Sequence, residues 1–519
     1  MPATTLASVL NCKQSKKATN KQSTNQFPIK KSTSKTIMKK LKLALFSLSL
    51  LALAACSKHS DNSVVAVPQI LVGKAISNTA PLTTGTYKGT MLAGQTYTVN
   101  GDITVNAGDT LLIQKGVTIN MAKGANFFVN GMLVSLGTSD APTTITYPGP
   151  GRVKNTGVST AAADSAYAGG WGGIYCSNTC SKLVIKWTHL NFGGAALKAA
   201  PFPAPTLSKA GQQYLLFFEN PNGVLIFEDS WIYGCPDDAT RFYGGAMNIV
   251  GNTLEKCGGV GGDGLNAKGS SYGNMAYNLI IGGATNGTKT ASDNTSSTEC
   301  QFTMYNNTYV NNGFRNTGVY GARSGSIEVE NASRVLAYNN LIVDCDFGLR
   351  IAGGPGGAKV FLADTLQNSS GYILKTAYGY NYYYADNAAM AGQFVPTSVA
   401  QPVVTHPQST DIPNMAAFLG SSYTFGLIYD GSSLVGKNNP LFVNYPLPAA
   451  ANFWVTQCSV DGYNFHLQSG SPAIGKGTTT AFKPITAGIP VDANFGASEM
   501  LSPGADMGCY QSNGTGNHH

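Results

Sequence analysis

Three acid-bearing turns are spaced so that they could act together. Asp237 and Asp238 follow Cys235 in Cys235-Pro236-Asp237-Asp238, Asp263 follows Cys257 in Gly261-Gly262-Asp263-Gly264, and Asp344 and Asp346 flank Cys345. A short apolar stretch begins soon after, in Gly264-Leu265-Asn266 and Gly348-Leu349-Arg350, while Arg315 holds the corresponding place after Asn312. If the chain brings these turns into register, carboxylates and cations converge on one face. Calcium takes oxygen ligands from carboxylates, so Asp263, Asp344 and Asp346 are its candidate ligands. Asp237, Asp238 and Asn266 are the candidate contacts to a bound substrate. Lys268, Arg315 and Arg350 are the candidate bases, although an arginine would first have to lose its proton, which is chemically demanding. The competing use is structural: Asp beside Gly or Pro at a corner commonly closes an Asx-type turn.

The elements that would position these residues are legible as a repeat. Octapeptides 228–235, 250–257, 276–283, 305–312 and 338–345 align, with Tyr305-Asn-Asn-Thr-Tyr-Val-Asn-Asn312 as the clearest, and their last positions are 22, 26, 29 and 33 residues apart. Ser230, Asn252, Asn278, Asn307 and Asn340 occupy the same place in each. The stretches 187–194 and 379–386 read as an earlier and a later member. Upstream, short β-type runs at 97–99, 103–105, 110–113, 117–119, 127–129, 132–136 and 144–147 alternate with Gly, Asn and Asp turns. A period of 20-odd residues with insertions marks a solenoid, and the units lack the helix and the leucine spacing of a leucine-rich horseshoe. In a β-solenoid successive coils hydrogen-bond in parallel about 4.8 Å apart, and equivalent Asn amides stack into a ladder.

This pattern resembles the right-handed parallel β-helix proteins of the pectate-lyase-like superfamily over roughly residues 94–512. The likeness is carried by the Asn-Asn-x-[IV] coils, by Trp171-Gly-Gly-Ile174, and by the tail segments 439–444, 465–474 and Asp506-Met-Gly-Cys-Tyr510. It implies an all-β fold: one right-handed parallel β-helix with N- and C-terminal caps. The expected boundaries are a lead-in to the N-terminal cap over 56–93, about 10 to 13 coils over 94–435 with a Pro-containing excursion at 401–435, and closing coils over 436–519. It also implies an extracellular polysaccharide as partner. In lyases of this fold, calcium bridges a uronate carboxylate while a Lys or Arg removes the adjacent proton. No family-specific catalytic motif and no complete calcium loop is present, and the same scaffold serves hydrolases, epimerases and non-catalytic surface proteins. A glycoside hydrolase would use paired carboxylates, such as Asp237 and Asp238; a non-catalytic adhesin or structural protein is the alternative class. Tyr380, Tyr382 and Tyr384 could stack on sugar rings, although strand alternation sends about half of the run at 378–384 inward.

Charge separates the body from its leader. The chain of 519 residues carries a net +8, but the ten lysines of residues 1–56, which contain no Arg and no acid, account for more than all of it: 24 bases against 26 acids remain, or −2. Only 12% of residues are charged, half the usual share, which argues against nucleic-acid binding and against a coiled coil. Residues 1–37 read as an upstream extension before a better start at Met38. Residues 38–55 read as a signal peptide: Lys39, Lys40 and Lys42, then an apolar run too short to span a bilayer stably. Leu53-Ala-Ala-Cys56 resembles the lipobox of bacterial lipoproteins, implying lipidation of Cys56 and anchorage to the cell envelope at the outer membrane or cell surface; the polar stretch 57–63 reads as a tether, and a monomer is expected. The eight remaining cysteines permit disulfides in an exported chain. Cys176 and Cys180 could bridge locally. Cys235 and Cys257, near 5 Å apart in adjacent coils, could pair or serve as a small apolar ladder; the ladder is preferred because stacked side chains do not readily reach the disulfide torsion.

Overall fold

A computed structural model of the protein describes residues 72–153, 164–259, 261–292, 299–315, 325–330, 333–352, 377–391, 435–449, 456–480, 482–486, 488–489 and 502–519. The expected leader, Cys56 and tether, and residues 401–434 of the expected 401–435 excursion, lie outside the described residues. Each coil gives one strand to each of three parallel sheets, and among the described residues every sheet has ten strands. The first coil comprises Gly85–Thr86, Gly89–Met91 and Thr96–Val99; the last comprises Leu349–Ala352, Ala377–Gly379 and Tyr382–Tyr384. Coiling therefore starts at Gly85, ahead of the expected residue 94. The runs expected at 97–99, 117–119 and 144–147 form strands Thr96–Val99, Thr118–Met121 and Thr143–Thr146, and the other four keep their limits.

Strand alternation explains the core. On the second sheet Leu111, Leu133, Leu183, Leu225, Met247, Gly273, Phe302 and Val335 are register partners down eight coils. All but the glycine belong to one buried apolar cluster, each large side chain contributing about 1.5–3 kcal/mol of transfer free energy. Gly273 interrupts the column because its φ is +151° and a Cβ there would lie 1.8 Å from the Met247 carbonyl oxygen.

The octapeptide frame is the corner between the second and third sheets, the third-sheet strand, and the corner that follows. Its third position builds the ladder. The backbone amides of Ser230, Asn252, Asn278, Asn307 and Asn340 donate to the side-chain oxygens of Asn252, Asn278, Asn307, Asn340 and Asn381, each at 3.0 Å. Positions two and seven are left-handed in every repeat: Asp229 and Gly234, Gly251 and Lys256, Tyr277 and Gly282, Asn306 and Asn311, Asn339 and Asp344. A non-glycine residue there costs about 1–2 kcal/mol, and Asn, Asp and Gly carry that cost most easily. The earlier member is shifted by one residue from its expected alignment: Thr188, not His189, donates to Ser230 Oγ at 3.0 Å, and His189 pairs with Trp231.

Residues 435–519 add no further coil among the described residues. Strands Phe442–Asn444 and Asn464–Leu467 pair antiparallel, and the segment runs back over the outer face of the third sheet. Thr478 N donates to Asn339 Oδ1 at 2.8 Å, Cys509 N to Thr308 Oγ1 at 2.9 Å, and Asn517 Nδ2 to the Asn252 carbonyl at 3.1 Å. The expected closing coils are thus a strap. All eight cysteines of the described residues are buried, and the expected local bridge between Cys176 and Cys180 is not formed. Cys235 and Cys257 are register partners, and their thiols donate to the carbonyls of Asp237 and Glu255, as befits a ladder rather than a bridge.

Candidate functional site

The first sheet carries one outward column along its whole length. Phe128, Tyr175 and Phe217 occupy it in the third to fifth coils, then Arg241, Asn266, Lys289, Glu328 and Arg350. The aromatic part is closed over: Tyr175 and Phe217 are buried with Leu197, Phe202 and Tyr214. The polar part starts where Arg241 lies 4.7 Å over the Tyr214 ring.

The turns containing Asp237, Asp238 and Asp263 do meet in register. Gly262 makes this possible: its φ is +116°, and a Cβ would come within 2.5 Å of the Asp237 carbonyl carbon, so the two corners pack backbone to backbone. Asp238 Oδ1 accepts from Asp263 N at 2.8 Å, and its Oδ2 accepts from Asn266 Nδ2 at 3.1 Å and Arg241 Nε at 2.6 Å. Asp263 accepts from Asn266 Nδ2 at 2.6 Å, from Asn286 Nδ2 at 2.8 Å and from the Thr285 hydroxyl. Asn286 also donates to Glu328, whose partners are Arg350 and, at 3.6 Å, Lys289; Lys289 lies 3.0 Å from Glu330. One polar network thus crosses five coils.

Most of it is buried. The accessible part is the half-buried group Arg241, Tyr243, Lys268 and Asp237. Tyr243 and Lys268 are register partners on neighbouring strands, and Arg241 Nη1 donates to the Tyr243 hydroxyl at 3.4 Å. Burial, then the charges of Lys289 and Arg241, pulls the Lys268 ammonium down to about 8. Burial and the neighbouring Asp238 push Asp237 up to about 6. A lysine with an appreciable free-amine fraction near neutrality, flanked by a guanidinium and a phenol, can accept a proton from a bound anion.

Several expected residues have other duties. Arg315 is buried, with Nη2 donating to the carbonyls of Cys257, Gly258 and Gly282 at 3.2, 2.7 and 2.6 Å and Nη1 to Cys458 Sγ at 3.0 Å; it pins the strap and is not placed to act as a base. Arg350 is buried in an ion pair with Glu328, a position that does not serve a base. The proposed calcium ligands do not come together. Asp263 and Asp346 lead into the seventh and tenth coils, about 14 Å apart at the usual coil spacing. Asp344 takes the left-handed position beside the third sheet and accepts from Asp386 N at 2.8 Å. Among the described residues no three His, Cys, Asp or Glu form a group able to hold a metal. These acids do not fit a calcium site. Tyr382 and Tyr384 point outward but lie beneath the strap, buried with Phe442, Tyr445 and Phe465. Tyr380 is half-buried and packs on Tyr338 at 6.2 Å. None of the three is placed on the first sheet with the acids.

Sequence reasoning missed Arg241, Tyr243, Lys289, Glu328 and Glu330. Their signal is period-two alternation just after a corner: Thr-Arg-Phe-Tyr243, Leu-Asn-Ala-Lys268, Thr-Lys-Thr290 and Ile-Glu-Val-Glu330, where every second residue faces out.

Three parallel sheets wound by one chain, with the charged column outside, define a parallel β-helix. Residues 205–372 match the family model of the right-handed β-helix region, so the coils are those of a right-handed parallel β-helix. Comparison with curated proteins and with solved structures returned no match.

Proposed function

We propose that the first-sheet face recognises an acidic extracellular polysaccharide and cleaves it by β-elimination, in a protein exported to the cell envelope and held there by a lipid on Cys56. The observation that carries this reading is Lys268, a half-buried amine brought down to about 8 beside Arg241 and Tyr243. Arg241 meets the uronate carboxylate, with the field of Lys289 behind it. Lys268 takes the proton from the carbon next to that carboxylate. The electron pair forms the carbon–carbon double bond as the bond to the glycosidic oxygen breaks, and the Tyr243 hydroxyl gives the departing oxygen its proton.

The test is incubation of the protein with pectate, alginate and sulfated or uronate-rich glycosaminoglycans, following the absorbance of the unsaturated uronate. Product formation that is lost in Lys268→Met, with binding retained, supports elimination. A second reading, a non-catalytic adhesin, is favoured by the internal pairing of Lys289, Glu328, Glu330 and Arg350; glycan binding without product selects it. Neither binding nor product overturns both. Metabolic labelling with a fatty acid that survives Cys56→Ser would overturn the anchor.

A further inference from the structure

The strap does not lie flush on the third sheet. It is fastened at Thr308 by the Cys509 amide and again near the C-terminus, where the His519 ring packs edge-on against Trp231 with centroids 5.4 Å apart. Between these points it bridges a hollow of about 330 Å³, within the span of small-molecule sites, roughly 300–1,000 Å³. The floor is an outward column over three successive coils: Trp231, Thr253 and Leu279. One wall is the turn carrying Asp461 and Asn464. The other contains the His466 ring stacked 4.0 Å from Tyr510, and the same pair lines an adjoining hollow of about 300 Å³.

The lining is set before any ligand arrives. Buried Glu255 accepts from Trp231 Nε1 and Arg152 Nη2, both at 2.5 Å, and from Val460 N at 2.7 Å. Arg152 lies 4.0 Å over the Tyr233 ring and grips Asp461 at 2.9 and 3.0 Å. The indole is therefore held in one orientation, and the turn that faces it is tied to the same carboxylate. Chemically the hollow differs from the first-sheet face. Arg152, the cation beside it, is already shared between two carboxylates, and burial keeps His466 below the ordinary imidazole value, so it is uncharged at neutral pH. Little is left to attract an anion. An aromatic and aliphatic floor suits the C–H face of a pyranose, while Asp461, Asn464 and His466 suit its hydroxyl rim.

We infer that this hollow binds a neutral saccharide, with one ring on the Trp231–Leu279 floor and the next beyond the His466–Tyr510 pair. The site is independent of the elimination chemistry and lies on a different sheet. Two adjoining ring-sized spaces that share the His466–Tyr510 wall match a disaccharide or the end of a longer chain.

Titration calorimetry with cellobiose, maltose, lactose and diacetylchitobiose, each up to about 10 mM, a range that reads millimolar affinities, tests this directly. Saturable binding of at least one is expected, weakened about tenfold by Trp231→Phe and by Asn464→Ala and unchanged by Lys268→Met. Asn464 is exposed, so its variant remains informative if altering the indole disturbs folding. Absence of saturation with all four sugars overturns the inference. So does binding that survives both variants, or preferential binding of uronate oligomers with the same dependence on Trp231.

Discussion

Replacing Lys289 with Met should raise the pKa of Lys268, and the size of the effect can be worked from the face. At its ordinary value of 10.5 an amine is about 0.03% unprotonated at pH 7; at about 8 the fraction is about 9%, a gain of roughly three hundredfold. Burial is the larger cause, and Lys289 is the next. Lys289 pairs with Asn266 and Lys268 with Ala291, so the two lysines are diagonal neighbours, about 8 Å apart. Across an effective dielectric near 20 such a charge acts with about 2 kcal/mol, less where solvent reaches it. Lys289→Met should therefore lower the free-amine fraction of Lys268 at pH 7 about five- to thirtyfold. Competitive acylation across pH, read from the peptide containing Lys268 by mass spectrometry, measures the titration without any substrate. A Lys268 that titrates near 10.5 in the parent protein, or at one pH in parent and variant, would refute the reasoning about this face.

Other consequences can be measured as simply. Lys268→Met should be more stable than the parent at pH 7: the folded pKa lies below the unfolded one, so the native chain binds fewer protons between about 8 and 10.5, and the penalty fades as pH rises through that window; denaturant midpoints at pH 7 and 10 check the sign. Asn278→Ala removes a side chain that accepts from Asn252 N and Nδ2 and donates to Asn307 Oδ1 and the Ile249 carbonyl, orphaning two or three buried groups at about 1–3 kcal/mol each, so chemical unfolding should report a loss of about 3–6 kcal/mol. Arg315→Lys should loosen the strap, because one ammonium cannot reproduce a fork that serves three carbonyls; faster amide exchange over 456–480 and 502–519 is the readout. The eight cysteines of the described residues should resist a thiol reagent in the native protein and react on unfolding, since all eight are buried.

The coils were legible because their signal is local and periodic. Positions two, three and seven of the octapeptide favour Asn, Asp and Gly for backbone reasons that do not depend on the rest of the chain, with Tyr277, Ser230 and Lys256 as the exceptions, so Asn252 to Asn340 align from sequence. The alignment slipped at residues 187–194, where Thr188 and Trp187 replace the usual residue types and only the pairing of His189 with Trp231 restores the register. The acidic corners were legible for the same reason, and Asp237, Asp238 and Asp263 do meet. The roles of Arg315, Tyr382 and Tyr384 were not legible. They depend on contacts with Cys458, Phe442 and Tyr445, more than 50 residues away, made by a strap whose path no short-range pattern encodes. Asp344 misled because its flank of Cys345 looks like the other acidic turns, whereas its left-handed backbone turns it to the opposite side of the corner.

Each step along the Asn ladder advances the same height, yet the number of residues between successive members grows from 22 to 41. The octapeptide never changes length, so the whole increase falls in the remainder of each turn. Closing a loop of twice the length adds only about 0.6 kcal/mol. Inheritance of the spine is thus uncoupled from inheritance of the reading surface: descendants can gain or shed residues between ladder rungs, and so change what the protein contacts, with little effect on whether it folds.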